Sequence, residues 1–63
     1  MRIILDAMGT DHAPRSEVAG AIEALKELDS DVEIVLVGDQ ETIEAELAGH
    51  DQIPERLSVH HAP

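Results

Sequence analysis

Val32-Glu33-Ile34-Val35-Leu36-Val37-Gly38 is apolar at nearly every position, ends in glycine and is followed at once by Asp39. A sheet with one wet face produces alternation. A run that stays apolar at consecutive positions is how a parallel strand covered on both faces reads. Downstream, Asp39 is placed to cap a helix over 40–48 whose Ile43 and Leu47 face inward, with Gly49 as its stop. A turn at Pro54 then leads to a third strand over 56–61. Upstream, Asp29-Ser30-Asp31 breaks a helix that starts at Pro14 and runs to about Leu28. Its Val18, Ala21, Ile22, Leu25 and Leu28 recur at helical spacing, while Glu17, Glu23, Lys26 and Glu27 fall on the other side. Pro14 suits the first turn, where its missing N–H costs nothing. Before it, Arg2-Ile3-Ile4-Leu5 is a short strand entering a loop at Asp6.

The order is β-α-β-α-β, an α/β unit forming the N-terminal half of a doubly wound, mostly parallel sheet. Right-handed crossovers that advance in one direction put both helices on one face. The other face stays bare although the central strand is apolar on both sides. More chain or a partner is expected to cover it. With Ala62-Pro63 falling just past a strand, the 63 residues are expected to be the N-terminal part of one longer α/β domain.

Composition narrows the function classes. Apolar burial at about 25 cal/mol per Å² and an ordering cost of about 1.5 kcal/mol per residue offset each other to within a few kcal/mol for a chain of this size. Disulfides and large aromatic side chains are the usual remedies, yet Cys, Trp, Tyr and Phe are all absent. A free-standing enzyme is not expected. The lack of cysteine also excludes a thiolate metal site, an iron–sulfur cluster and a cysteine nucleophile. A formal charge of −10, with Arg2, Arg15, Lys26 and Arg56 scattered, argues against nucleic acid or an anionic membrane as a partner of this segment. The acidic excess reads as a solvated surface. No run is long enough to span a bilayer and no secretory signal is present, so the cytoplasm is the expected compartment.

Ligands on such sheets bind outside the carboxyl ends of the strands. The first such loop is Asp6-Ala7-Met8-Gly9-Thr10-Asp11-His12-Ala13-Pro14, with two carboxylates and an imidazole ahead of a helix N-terminus. A helix N-terminus attracts anions. Asp6 sits at a strand end on rigid scaffold, and Gly9 allows a tight turn or close approach of a ligand. Asp11 reads as a helix cap or a site residue. His12 reads as a loop-bonding or a substrate-binding residue.

The string LDAMGTDHAP, from Leu5 to Pro14, resembles the signature of the bacterial phosphate acyltransferases of phospholipid synthesis, which open with a strand and then Asp-Ala-Met-Gly-Gly-Asp-His-Ala-Pro. Val35-Leu36-Val37-Gly38-Asp39 and Val59-His60-His61-Ala62 look like later family segments. The resemblance covers the whole chain but only the opening part of a family member. It implies transfer of a fatty acyl group from acyl carrier protein to inorganic phosphate, giving acyl phosphate. It further implies a cytoplasmic homodimer, peripheral at the inner membrane surface, that needs no cofactor. On the matching positions it implies Asp6 and His12 as catalytic residues and Gly9, Thr10 and Asp11 as substrate-binding residues. Asp6 and Asp11 cannot face a phosphate dianion favourably alone, so they are expected to orient His12, fix the loop or pair with a cation. Thr10 departs from the family glycine. If that position needs a positive φ, a β-branched residue there is strained; otherwise its hydroxyl is an added donor.

Rival readings are weaker. A dinucleotide site needs Gly-x-Gly-x-x-Gly after the first strand, where this chain has only Gly9, and a phosphate-binding Gly-Lys-Ser/Thr is missing. His60 and His61 point to opposite faces of a strand and do not share a metal, so no metal is expected. Outside enzymes, the competing class is a small α/β module that covers its bare face by self-association or with a partner.

Overall fold

The computed structural model describes all 63 residues, Met1 to Pro63. Five elements follow one another: β1 (Arg2–Asp6), α1 (Arg15–Glu27), β2 (Glu33–Gly38), α2 (Gln40–Leu47) and β3 (Leu57–His61). The strands lie in the order β1-β2-β3 with both pairings parallel. Ile3, Ile34 and Leu57 are in register on one face, as are Leu5, Leu36 and Val59. Side chains alternate along a strand, so Ile4, Val35 and Ser58 share the opposite face with Asp6, Val37 and His60.

Both helices cover the first of these faces. Val18, Ala21, Ile22 and Leu25 of α1 and Ile43 of α2 form one buried cluster with Ile34, Leu36 and Leu57. The other face is bare. Val35 and Val37 are half-buried, and Ile4, on an edge strand, is 61% exposed. The central strand is therefore apolar on a face that nothing in these residues covers. Across that face Arg2 Nε meets Glu33 Oε1 at 2.6 Å, an exposed pair that contributes at most about 1 kcal/mol.

Element ends differ from the sequence reading by a residue or so, each time for a local reason. Val32 lies outside β2 but is buried, its N–H bonded to Asp29 O in the preceding turn at 3.0 Å. Pro14 caps α1 from outside rather than sitting in its first turn, and its carbonyl accepts from Val18 N at 2.9 Å. Asp11 does not cap α1. The turns at 11–14, held by Ala13 N to Thr10 O at 3.1 Å and Ser16 N to His12 O at 3.4 Å, place Pro14 at the cap instead. Glu17 also departs from expectation, because both its carboxylate oxygens are occluded and unpartnered. In a capping box the residue at this position reaches back to the cap N–H, and a proline cap has none to offer.

At α2 the expected cap forms. Asp39 Oδ2 accepts from Thr42 N at 3.3 Å and from the Thr42 hydroxyl. Gln40 N donates to His61 Nδ1 at 3.1 Å, tying the start of α2 to the end of β3. Arg56 lies just before β3 because its guanidinium turns back beneath α1. It donates to Leu25 O at 2.6 Å, Asp29 O at 2.7 Å and Val32 O at 2.9 Å.

Candidate functional site

All three strands end on the same side of the sheet, and the loop from Asp6 to Pro14 rises there. Its first step is rigid. Ala7 is fully buried, and its N–H extends the β1–β2 ladder by bonding Val37 O at 2.9 Å. Asp6 then closes the turn, its Oδ1 accepting from Met8 N at 2.9 Å. Such a side-chain bond two residues on is how Asp fixes a loop at a strand end. The Met8 side chain leans back over Gly38 at the end of β2, where a Cβ would stand 2.6 Å from Met8 Cγ.

Between these groups lies an open cleft of about 450 Å³, lined by Asp6, Met8, Val37, Gly38, Asp39, Ala62 and Pro63. It sits where ligands bind on open parallel sheets. Of the site residues expected from the sequence, only Asp6 lines it. Gly9, Thr10, Asp11 and His12 stand exposed farther along the loop. No hydrogen bond or ion pair joins the His12 imidazole to Asp6 or Asp11, so the expected orientation of His12 by a carboxylate is not formed within this segment. Only the His12 carbonyl is engaged, by Ser16 N.

The backbone resolves the question at Thr10. No residue other than glycine has a positive φ, so Thr10 carries no left-handed strain. Nor does Gly9 take up a left-handed turn. A Cβ there would meet Asp6 Oδ2 at 3.4 Å, an ordinary contact, so neither backbone angle nor space within this segment demands glycine at position 9. Met8, Val37, Gly38, Asp39, Ala62 and Pro63 were missed as lining residues. Gly38 was visible as a strand-ending glycine, whereas Ala62 and Pro63 carry no chemistry that marks them.

A second hollow of about 400 Å³ lies on the helix layer, lined by α1 and the segment after α2, with Lys26, His50 and Asp51 on its rim. Lys26 is paired with Glu23 at 3.1 Å, and His50 Nε2 lies 3.9 Å from Glu46 Oε2. It is remote from the strand ends. No helix is long and apolar enough to cross a membrane.

A parallel β-α-β-α-β unit with a fixed loop and a cleft at the carboxyl ends of its strands defines an α/β fold. The chain belongs to the fatty acid synthesis protein family, whose model matches residues 1–63. It is 52% identical over 62 residues to a phosphate acyltransferase of Hydrogenovibrio crunogenus, a match covering 98% of the chain and 18% of that protein. Over 63 residues it is 52% identical to a phosphate acyltransferase of Herpetosiphon aurantiacus, covering all of the chain and 17% of the relative. A phosphate acyltransferase of Crocosphaera subtropica is 58% identical over 53 residues, covering 84% of the chain and 15% of the relative. The chain thus spans less than a fifth of the length of these curated relatives.

Proposed function

We propose that the protein carrying this segment transfers a fatty acyl group from acyl carrier protein to inorganic phosphate, releasing acyl phosphate for phospholipid synthesis. The observation that carries this reading is the match over all 63 residues to a fatty acid synthesis family, with relatives of about half identity named phosphate acyltransferase. A phosphate oxygen attacks the thioester carbonyl and forms a tetrahedral oxyanion. The C–S bond then breaks, and the carrier thiolate leaves with the electron pair and takes up the proton that phosphate gives up. Such a site needs donors for an oxyanion and for phosphate.

This segment contributes one wall of that site. The amides of Arg15 and Glu17, in the first turn of α1, have no acceptor within the chain, and His12 stands exposed just before them. His12 is assigned the role of donor to phosphate or to the leaving sulfur. Asp6 positions the loop. Gly9, Thr10 and Asp11 carry the loop past the substrate, and the cations that balance Asp6 and Asp11 come from the remainder of the protein. The same reading places the protein in the cytoplasm as a homodimer, peripheral at the inner membrane surface.

The direct test incubates the intact protein with inorganic phosphate and acyl-[acyl carrier protein] labelled in its acyl chain, and traps acyl phosphate with hydroxylamine. Labelled hydroxamate that forms only when phosphate is present, above the amount the thioester gives alone, is expected; carrier thiol release without acyl phosphate would overturn the assignment. His12→Ala is expected to lower acyl-phosphate formation about tenfold or more with little change in Tm, in the range typical of a lost acid–base or hydrogen-bonding group. Unchanged turnover would remove His12 from the site.

Thr10→Gly separates strain from use of the hydroxyl. Since the Thr10 backbone is unstrained, the substitution should lower stability by about 0.5–1 kcal/mol through the added freedom of the unfolded chain, without raising activity. A rise in Tm or in turnover would show that the loop prefers glycine. A drop in turnover at unchanged phosphate affinity would assign the hydroxyl to the reaction.

A further inference from the structure

We propose that Met8 is a positioning residue of this site: seated over Gly38, with its amide on Asp6, it locks the β1–α1 loop to the end of β2. The lock has two halves. In one, Met8 N donates to Asp6 Oδ1 at 2.9 Å, so the backbone of residue 8 orients the carboxylate that lines the cleft. In the other, the Met8 side chain occupies the space above Gly38. A Cβ at Gly38 would stand 2.6 Å from Met8 Cγ and 3.3 Å from both Met8 Sδ and Ile43 Cδ1.

Gly38 cannot retreat from such a contact. Its carbonyl accepts from Ala62 N at 2.9 Å, and the carbonyl before it, on Val37, accepts from Ala7 N at 2.9 Å. Backbone bonds on both sides therefore hold the end of β2, and Ile43 beneath it is fully buried. Met8 is the one partner free to move, being 41% exposed beside an open cleft. A methyl group at position 38 would thus expel the Met8 side chain, and the loop carrying Asp6 and His12 would lose its seat; it would also press on Ile43 and strain a backbone at φ +159°, which lowers stability independently of Met8. Thioether side chains suit this task, because an unbranched chain fits an irregular gap over a backbone. Small displacements of positioning groups lower rates strongly.

The kinetic part of the test rests on the phosphate acyltransferase reading, and the structural part does not. Gly38→Ala, Met8→Ala, Met8→Leu and the Met8→Ala/Gly38→Ala double variant are made in the intact protein. Each is followed by hydrogen exchange of the loop amides at 7–13, by steady-state kinetics with inorganic phosphate, and by Tm. Gly38→Ala and Met8→Ala are each expected to speed loop exchange and to lower kcat/KM for phosphate by about tenfold, while Tm falls by a few degrees in Met8→Ala and further in Gly38→Ala, whose backbone stands at φ +159°. Met8→Leu, which still covers Gly38, should stay within about threefold of wild type.

The decisive arm is the double variant. If the two residues act through one contact, Gly38→Ala adds no further loss of kcat/KM or of loop protection once Met8 is alanine, although its backbone at φ +159° and the Ile43 contact still lower Tm. Additive effects on kcat/KM and loop exchange in the double variant, or unaltered loop exchange in Gly38→Ala, would overturn the lock. Should Gly38→Ala fail to fold, loop exchange in Met8→Ala against Met8→Leu decides the matter alone. A wild-type protein that makes no acyl phosphate would count against the proposed function, while the exchange measurements still decide the lock.

Discussion

Arg56→Met is expected to lower the stability of the intact protein by about 3 kcal/mol, because it removes three charge-assisted hydrogen bonds from carbonyls with few other donors. Leu25 O belongs to the last turn of α1, where carbonyls lack helical partners and the helix dipole is negative. Arg56 meets it at 2.6 Å and reaches Asp29 O at 2.7 Å and Val32 O at 2.9 Å, spanning the connection from α1 to β2 with one planar fork. Three such bonds taken at face value would sum to more, but Arg56 is only half-buried and water replaces part of what is lost. Methionine keeps the packing of the stem, so the loss reports the guanidinium. Arg56→Lys should recover only part of it, since one ammonium cannot reproduce the fork. Chemical denaturation of the three proteins measures this. A loss under about 0.5 kcal/mol in Arg56→Met would mean that water serves these carbonyls equally well.

Arg56 also shows where sequence reading stops. The β-α-β-α-β order was legible because it rests on local signals: the unbroken apolar run at Ile34–Val37, the helical spacing of Val18, Ala21, Ile22 and Leu25, and the aspartate ahead of α2. Parallel pairing and helices on one face followed from chirality and from an apolar central strand. The features missed all depend on pairs far apart in the chain. Arg56 looked like the first residue of a strand because its acceptors lie 24 to 31 residues upstream. Glu17 looked solvated because a helical wheel does not show what packs over a flank. Asp11 resembled a cap because a polar residue ahead of a helix usually is one, yet the intervening turns carry the chain past it.

The loop at 6–14 was legible as a motif and illegible as a shape. Residue types identified the family, but whether Thr10 was strained and whether Gly9 needed a left-handed turn depended on dihedral angles, and neither is the case. The glycine whose missing side chain matters most for the site is Gly38, through its contact with Met8. No local pattern couples those two positions. Only the parallel register, with Asp6 opposite Val37, brings residue 8 over residue 38.

Asp6→Ala should lower kcat/KM for acyl-phosphate formation by about a hundredfold, whereas Asp6→Asn should stay within about tenfold of wild type. The difference follows from what the carboxylate does. Its Oδ1 accepts the Met8 amide, and an asparagine carbonyl oxygen can accept the same bond. Alanine cannot. The turn then opens, Met8 N is left without its acceptor, and the start of the loop is tied to the end of β2 by just the Ala7 ladder bond and the Met8–Gly38 contact. Oδ2 packs beside Gly9 and has no donor, so nothing within the segment uses the negative charge. If Asp6→Asn proved as damaging as Asp6→Ala while the Met8 amide kept its protection from exchange, the charge itself would be required. Asp6 would then act on a cation or on substrate, and its place at the edge of the cleft would be catalytic rather than positional.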